Sequence, residues 1–579
     1  MATTSRVFEA QTSGGFLAVD VAPSEVFTRE DLSPAQQMFG RVAEDFMRTQ
    51  VLPHEKEIYA KDFAVLRKLM LKAGELDLLR VDIPEAYDGL GLDKVSSAYV
   101  SETLGLMPSF PLGTHTTIGT LPIVYFGTDE QKARYLPGLA SGEKIGAYAL
   151  TEPGAGSDAM SIRTKATLSP DGKHYVLNGQ KMWITNGGFA DVFTIFAKVD
   201  GEKITAFIVE RDMGVVSGRE EPKLGLDGSS TTALILENVK VPVENVLGEI
   251  GKGHKVAFNI LNFGRLKLGT RNLGTAKQAL NNSVQYAIER QQFGQSIAQF
   301  GLIKQKIGEI TTRCYVGDAM VFRTLGAVDQ ALESIGHNIE AILKTIESFA
   351  IECSINKIWT SEALAYVVDE AVQIHGGYGY SKEYPVERAF RDARITRLYE
   401  GTSEINRIII PPRLLNSPMV TDLFKGEFRK VSAPANSPFA SEYELLGLAK
   451  NLVITTLKTA NAAYGKGLRT EQEVMGHISD LACETYAMES VMLRTGKIIA
   501  ARGEANCAVP IDITRVFASD TTDRLAHSAK QVVAAVGDKA DTQPLVQLIG
   551  TIAVRPSFDT VGGRRRIADA IIKAGKYIF

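Results

Sequence analysis

The feature that most constrains this chain is the place where its hydrophobic period changes. From about Ile145 to Leu247 apolar and polar residues alternate, the period of strands, whereas on either side apolar residues recur every three or four positions, the period of helices. HYVLNGQKMWITNG reads as two strand-like runs around Asn178-Gly179, a hairpin signal, and DVFTIFAKV, ITAFIVERD and TTALILENVKVP are further β-rich runs. The strands are segregated mid-chain rather than alternating with helices. That disfavours a doubly wound dinucleotide fold and predicts a middle antiparallel β barrel or sandwich.

The flanks complete an α+β reading. SPAQQMFGRVAEDFMRTQVLPHEKE has Ser33 as an N-cap and Pro34 at the first helical position, and KDFAVLRKLMLKAG and SSAYVSETLGLM continue a helical pattern. Helical periods return in ALNNSVQYAIERQQFG and the long runs to Ile410, as in a bundle. At about 150 residues per domain, 579 residues predict three to four units. The expected division is an arm at 1–32, a helical N-terminal domain at 33–144, the β domain at 145–250 and a helical bundle at 251–410. A Pro-, Ser- and Asn-rich linker at 411–441 and a C-terminal helical extension at 442–579 complete it.

Composition excludes several classes. A net charge of −3 gives no basic excess for nucleic acid. Cys314, Cys353, Cys483 and Cys507 are scattered without metal-ligand spacing, so they read as buried thiols in a reducing compartment, and no metal is expected. The N-terminus resembles neither a secretory signal nor a transit peptide, and no run of about 18 apolar residues occurs, so a cytoplasmic protein is expected.

Four clusters could carry chemistry. Thr151–Asp158 (TEPGAGSD) has glycines for close backbone approach and hydroxyl donors for a polar cofactor group, although alone such a loop is more often a plain turn. In MWITNGG, Trp183 could stack on a flat heteroaromatic ring while Thr185 bonds its edge; the plainer reading is a half-buried core tryptophan. In QIHGGYGY a helix ends in paired glycines, and His375 reads more readily as a satisfied structural histidine than as a catalyst. In RLYEGTSEI, Glu400 precedes a Gly-Thr break, where a carboxylate can project into a cleft; alternatively it stabilises the start of the next helix.

Taken together and in this order, the clusters resemble the acyl-CoA dehydrogenase family over residues 33–410, with ERQQFG and PEAYDGLG as further landmarks. The resemblance implies FAD, held by Tyr148, Leu150, Thr151, Gly156, Ser157, Trp183, Thr185 and Thr402, with Arg290, Phe293, Gln373 and Gly377 reaching the FAD of a neighbouring subunit. A homodimer follows from that sharing. It implies substrate contacts at Ser157, Asn262, Arg265, Tyr399 and Gly401, and Glu400 as the base that takes the α-proton of an acyl-CoA while the β-hydride goes to flavin. An electron-transfer flavoprotein is then the implied acceptor. The isovaleryl branch carries its base on the NILNFGR helix; here Gly264 stands there and Glu400 is present.

The C-terminal extension, the pair NILNFGR and QFGLIKQKIGEI, and FPLGTH resemble the very-long-chain branch. Phe110 and Thr114 stand where shorter-chain relatives place long polar plugs, and Gly113 is expected to add room for a longer tail. At about 0.8 kcal/mol per buried methylene, an open floor favours long chains. The basic segment Arg564–Lys576 is weighed as a membrane-surface contact against a solvated helix face. Two alternatives stand beside the dehydrogenase: an oxidase of the same fold, and an assembly or scaffold protein that keeps the fold.

Overall fold

Ser33 opens the first helix as its sequence predicts: its Oγ accepts from Gln36 N at 3.2 Å while Gln36 Oε1 accepts from Ser33 N at 2.8 Å, and Pro34 occupies the first turn. The computed structural model describes residues 8–336, 338–426, 428–554 and 558–579. The chain divides into two compact units. A sheet unit comprises Ser33–Gly274 and His337–Glu347, and a helical unit gathers Met1–Leu32, Thr275–Gly336 and Ser348–Phe579.

In the sheet unit, helices α1 (Pro34–Phe46), α2 (Phe63–Glu75), α3 (Lys94–Thr103) and α4 (Asp129–Ser141) precede eight strands. These are β1 (Gly146–Ala149), β2 (Lys165–Leu168), β3 (His174–Thr185), β4 (Val192–Val199), β5 (Lys203–Glu210), β6 (Val216–Glu220), β7 (Thr231–Pro242) and β8 (Val246–Leu247). Their order is β6-β7-β3-β2-β4-β5-β8, with β1 also on β4. The predicted antiparallel barrel or sandwich needs two corrections. Among the described residues β6 does not pair with β8, so the sheet is open, and β1 and β2 both run parallel to β4. Phe46, Leu66 and Phe110 share one apolar core with Phe193, Phe207 and Leu234.

Asn178-Gly179 makes no hairpin. β3 runs straight through it and bulges against β7 between Leu177 and Gly179. A Cβ at Gly179 would fall 2.5 Å from Thr164 Oγ1, so the glycine is there for close approach.

Helix α5 (Gly253–Glu289) begins in the sheet unit and continues in the helical one. The hairpin β9 (Gln291–Gln292) and β10 (Gln295–Ser296) follows. Then come α6 (Gly301–Glu333), α7 (Ala350–His375), α8 (Pro385–Ala393), α9 (Ser403–Leu415), α10 (Ala440–Tyr464), α11 (Gln472–Arg502), α12 (Ala508–Val536), α13 (Gln543–Ala553) and α14 (Thr560–Ala574). One core joins Tyr315 of α6, Ile358 of α7, Leu414 of α9, Leu446 of α10, Tyr486 of α11 and Ile513 of α12, so the C-terminal helices share an interior with the bundle. The arm joins it too: Phe16 and Leu17 are fully buried there, and Asp20 and Glu30 bond Arg429, Lys450 and Arg494.

The expected linker is partly helical, because α9 continues to Leu415 through Pro411 and Pro412, and Pro418–Asp422 forms another short helix. The basic segment after Gly563 turns its apolar face inward. Ile567, Ala568 and Ile571 of α14 are buried in the unit's own cores, Arg564 pairs with Glu309 and Asp520, and Arg566 pairs with Asp512. Among the described residues no helix is long and apolar enough to cross a membrane.

Candidate active site

In the sheet unit, the loop after β1 is built around an inward-turned acid. Glu152 accepts from Arg163 N (2.5 Å), Thr164 N (3.1 Å), Thr164 Oγ1 (2.6 Å) and Lys181 Nζ (2.7 Å), while its backbone pairs with Ala155 in both directions. Both members of the ion pair are buried. Burial opposes the Glu152 charge, but Lys181 holds the carboxyl below its ordinary range; burial pushes Lys181 down to about 8 against the pull of Glu152. With Glu152 turned in, Pro153, Gly154, Gly156 and Ser157 face outward, and a Cβ at Gly154 or Gly156 would meet nothing within 4 Å. Thr151 and Thr185 are half-buried.

Trp183 is presented by a bulge. Between Lys181↔Leu234 and Ile184↔Thr232, β3 advances three residues while β7 advances two, and Trp183 takes a left-handed φ of 60°. Its side chain is 53% exposed, so the plainer reading of a core tryptophan does not hold. Met182 N donates to Thr151 O at 2.9 Å, which sets the bulge beside the glycine loop. Tyr148 and Leu150 are buried, Tyr148 edge-on to Phe196 and Leu150 O accepting from Lys181 Nζ at 3.3 Å, so their side chains serve the interior.

The chain-length residues lie elsewhere in the same unit. Phe110 is buried against Phe46. At Gly113 a Cβ would sit 2.9 Å from Arg271 Nη1 and 3.1 Å from Leu104 Cδ1, so the ends of those two side chains lie against the glycine. Thr114 is half-buried. Asn262 and Arg265 are buried one turn apart on α5, with Arg265 Nη1 donating to Asn262 Oδ1 at 2.9 Å.

In the helical unit, Arg290 lies with its guanidinium 5.4 Å from the Tyr378 ring centroid, so the hairpin base meets the GGYGY turn. Phe293, at the hairpin tip with φ 51°, is 93% exposed. Gln373 and Gly377 are exposed, and nothing lies within 4 Å of a Cβ at Gly377. His375 is structural: it is buried, its Nδ1 lies 2.7 Å from Ala371 O, and its ring stacks on Tyr286 at 4.2 Å.

Glu400 stands in the left-handed region, φ 55°, followed by Gly401 at φ 82°. Tyr399, Glu400, Gly401 and Thr402 are all half-buried. Thr402 caps α9 by accepting from Ile405 N at 3.2 Å, and Glu404 supplies the acid of the first turn, so Glu400 is relieved of helix-start duties. Buried Asn406 donates from Nδ2 to the carbonyls of Gly401 (2.9 Å) and Thr402 (3.0 Å), pinning the turn. A non-glycine residue at positive φ is strained and persists where its surroundings over-determine it.

Family models for the acyl-CoA dehydrogenase N-terminal, middle and C-terminal domains match residues 33–143, 147–239 and 251–415, and a further acyl-CoA dehydrogenase C-terminal domain model matches 448–549. A probable acyl-CoA dehydrogenase of Bacillus subtilis (strain 168) is 43% identical over 98% of this chain and 99% of its own. The chain belongs to the acyl-CoA dehydrogenase family. A human protein named very long-chain specific acyl-CoA dehydrogenase, mitochondrial, is 37% identical over 74% of this chain and 69% of its own. A Bacillus anthracis crystal structure titled as an acyl-CoA dehydrogenase complexed with FAD superposes with a TM-score of 0.94 at 42% identity, covering 98% of this chain and 100% of that one.

Membership makes this acyl-CoA dehydrogenase a flavin-dependent oxidoreductase. Three supporting residues escaped the sequence reading. The Glu152–Lys181 pair had a signal, an acid inside a glycine loop and a lysine on the following long strand, but Asn406 had none, because an asparagine in a helix interior gives no hint of which carbonyls it reaches.

Proposed function

We propose that this acyl-CoA dehydrogenase oxidises long-chain acyl-CoA to trans-2-enoyl-CoA with FAD as cofactor and Glu400 as catalytic base. The observation that carries the reading is the Glu400 turn, a glutamate kept left-handed with capping assigned to its neighbours. The sheet unit fits FAD in its chemistry. An exposed indole on a bulge suits a flat ring, and a loop with open space above two glycines and hydroxyls at Thr151 and Ser157 suits a polar tail. FAD, when bound, supplies the hydride acceptor.

The protein's own residues do the rest. Glu400 takes the α-proton, and its N–H donates to the thioester carbonyl, where negative charge develops as the proton leaves. An apolar acyl chain excludes water from the carboxylate and raises its proton affinity toward that of the activated substrate. Tyr399 and Gly401 flank the reacting carbons, and Asn262, Arg265 and Ser157 serve the CoA ester.

Preference for long chains is supported by the likeness to the very long-chain relative. The exposed Phe293, Gln373 and Gly377, with Arg290 behind them, support a homodimer in which each copy completes its neighbour's flavin site. An electron-transfer flavoprotein is the proposed acceptor.

The test is anaerobic mixing of the FAD-loaded protein with acyl-CoAs from short to very long. Flavin absorbance is expected to bleach fastest with the long ones. A protein that none of them bleaches ends the reading, and hydrogen peroxide formed in air at the rate of flavin reduction would make it an oxidase instead.

A further inference from the structure

Arg407 of α9 is held from several sides by residues outside its own helix. Pro411 stands four residues on and has no N–H, so the Arg407 carbonyl lacks the partner that an uninterrupted helix provides. Ser479 of α11 fills the gap: its Oγ lies 2.7 Å from that carbonyl, nearer than the 2.9 Å to Met475 O in its own helix. The next residue, Asp480, accepts from Arg407 Nε at 2.8 Å, and Glu362 of α7 accepts from Nη1 and Nη2 at 2.7 and 2.9 Å. The same Glu362 carboxylate lies 4.0 Å from Arg397, so one acid ties the chain both before and after Glu400. One residue back from Arg407 is Asn406, which pins the Gly401 and Thr402 carbonyls. A continuous run of bonds therefore leads from α11, in the C-terminal extension, to the turn that bears Glu400.

We propose that Ser479, Asp480 and Arg407 are positioning residues for Glu400, and that the extension thereby sets the aim of the catalytic base. This rests on the reading of Glu400 as the base. A left-handed glutamate is strained, and a bidentate, three-partner arginine is the kind of anchor that over-determines such a turn. A small misplacement of a base far from the anchor itself can slow a reaction by about 10²-fold. Beside the anchor lies a cavity of about 430 Å³ lined by Arg407, Glu362, Asp480, Arg524 and the exposed His527, so a small cation from solvent can reach the place of the Arg407 guanidinium.

The experiment uses the full-length, FAD-loaded protein and anaerobic stopped-flow reduction by a long-chain acyl-CoA. Ser479→Ala/Asp480→Ala is expected to slow reduction at saturating substrate at least tenfold. The half-saturating concentration should stay within twofold, flavin content and Tm close to the parent, and the pH limb that reports the base should move. A rate and pH limb within twofold of the parent overturn the proposal. Should that variant lose its flavin, Arg407→Ala decides. Added methylguanidinium is expected to restore the rate saturably with substrate half-saturation unchanged, and no restoration overturns the proposal. Glu400→Gln separates the two layers. A slow Glu400→Gln beside fast clamp variants defeats the clamp alone, and a Glu400→Gln that turns over like the parent defeats the base assignment and the clamp with it.

Discussion

Trp183 in the sheet unit and Glu400 in the helical unit share one unusual conformation, a non-glycine residue at φ 60° and 55°, yet they are held by different means. The Trp183 bulge is held within the sheet. Its flanking residues pair with β7, and its neighbour Lys181 is locked to Glu152 through the loop that it supports. The Glu400 turn is held by side chains, by Asn406 in the helix that follows it and by an arginine whose partners come from α7 and α11. A sheet supplies backbone bonds to whatever it bends, whereas a turn between helices has to obtain its rigidity from side chains elsewhere in the sequence.

The largest effect expected from probing that contrast is chemical. Glu400→Gln should cut the rate of flavin reduction by about 10⁴-fold, about 5.4 kcal/mol of barrier, with its Tm close to the parent. Trp183→Phe should keep the base intact and alter flavin retention instead, read as bound flavin after gel filtration. A sheet-side change of comparable weight is Lys181→Met, which leaves the buried Glu152 carboxylate without its cation. It should destabilise the sheet unit by about 4 kcal/mol in chemical denaturation, with loss of flavin following the loss of the loop.

A third probe is pH, and the two regions should respond with opposite sign. His115 is buried in the sheet unit, its Nδ1 accepting from Gly146 N (3.1 Å) and its Nε2 facing Leu139 O (2.9 Å), and burial pushes it down to about 4. The unfolded chain takes that proton near pH 6.5, so the stability from neutral His115 is present above 6.5 and is lost as pH falls to 4, about 3 kcal/mol in all. Glu352 is buried in the helical unit, and burial pushes it up to about 7 against the N–H of Gly14. Its contribution is full below about 4.5 and declines as pH rises through 7. The two tryptophans separate the readings, since Trp183 lies in one unit and Trp359 in the other. Unfolding followed by fluorescence in Trp359→Phe and in Trp183→Phe should give slopes of opposite sign between pH 4.5 and 6.5. The smallest change in stability should come from Glu400→Gly, which removes the left-handed strain and should raise stability by about 1 kcal/mol while abolishing turnover.

What the sequence made legible was chiefly local. Ser33-Pro34 announced a helix start, the change of period located the strands, and His375 was readable as structural because a lone histidine at a helix end is more often satisfied by its own surroundings than catalytic. Non-local facts were not readable. Asn178-Gly179 is the usual dipeptide of a tight turn, but the nearness of Thr164 made it a bulge instead. Nothing in FPLGTH says that the ends of Arg271 and Leu104 will lie against Gly113. Glu400 could be singled out, but its restraint could not, since Glu362 and Ser479 lie dozens of residues away on either side.

The arm that bears Asp20 and Glu30 has a consequence for how the chain is made. These acids leave the ribosome long before Arg429, Lys450 and Arg494, which lie 409 to 464 residues further on. Residues 33–274, which hold the core that joins Phe46, Phe110 and Phe193, are complete while the arm is still waiting for those partners. During synthesis the nascent protein therefore carries an early apolar segment, Phe16 and Leu17, whose burial is complete only once Tyr486, on which the Phe16 ring packs, has been made.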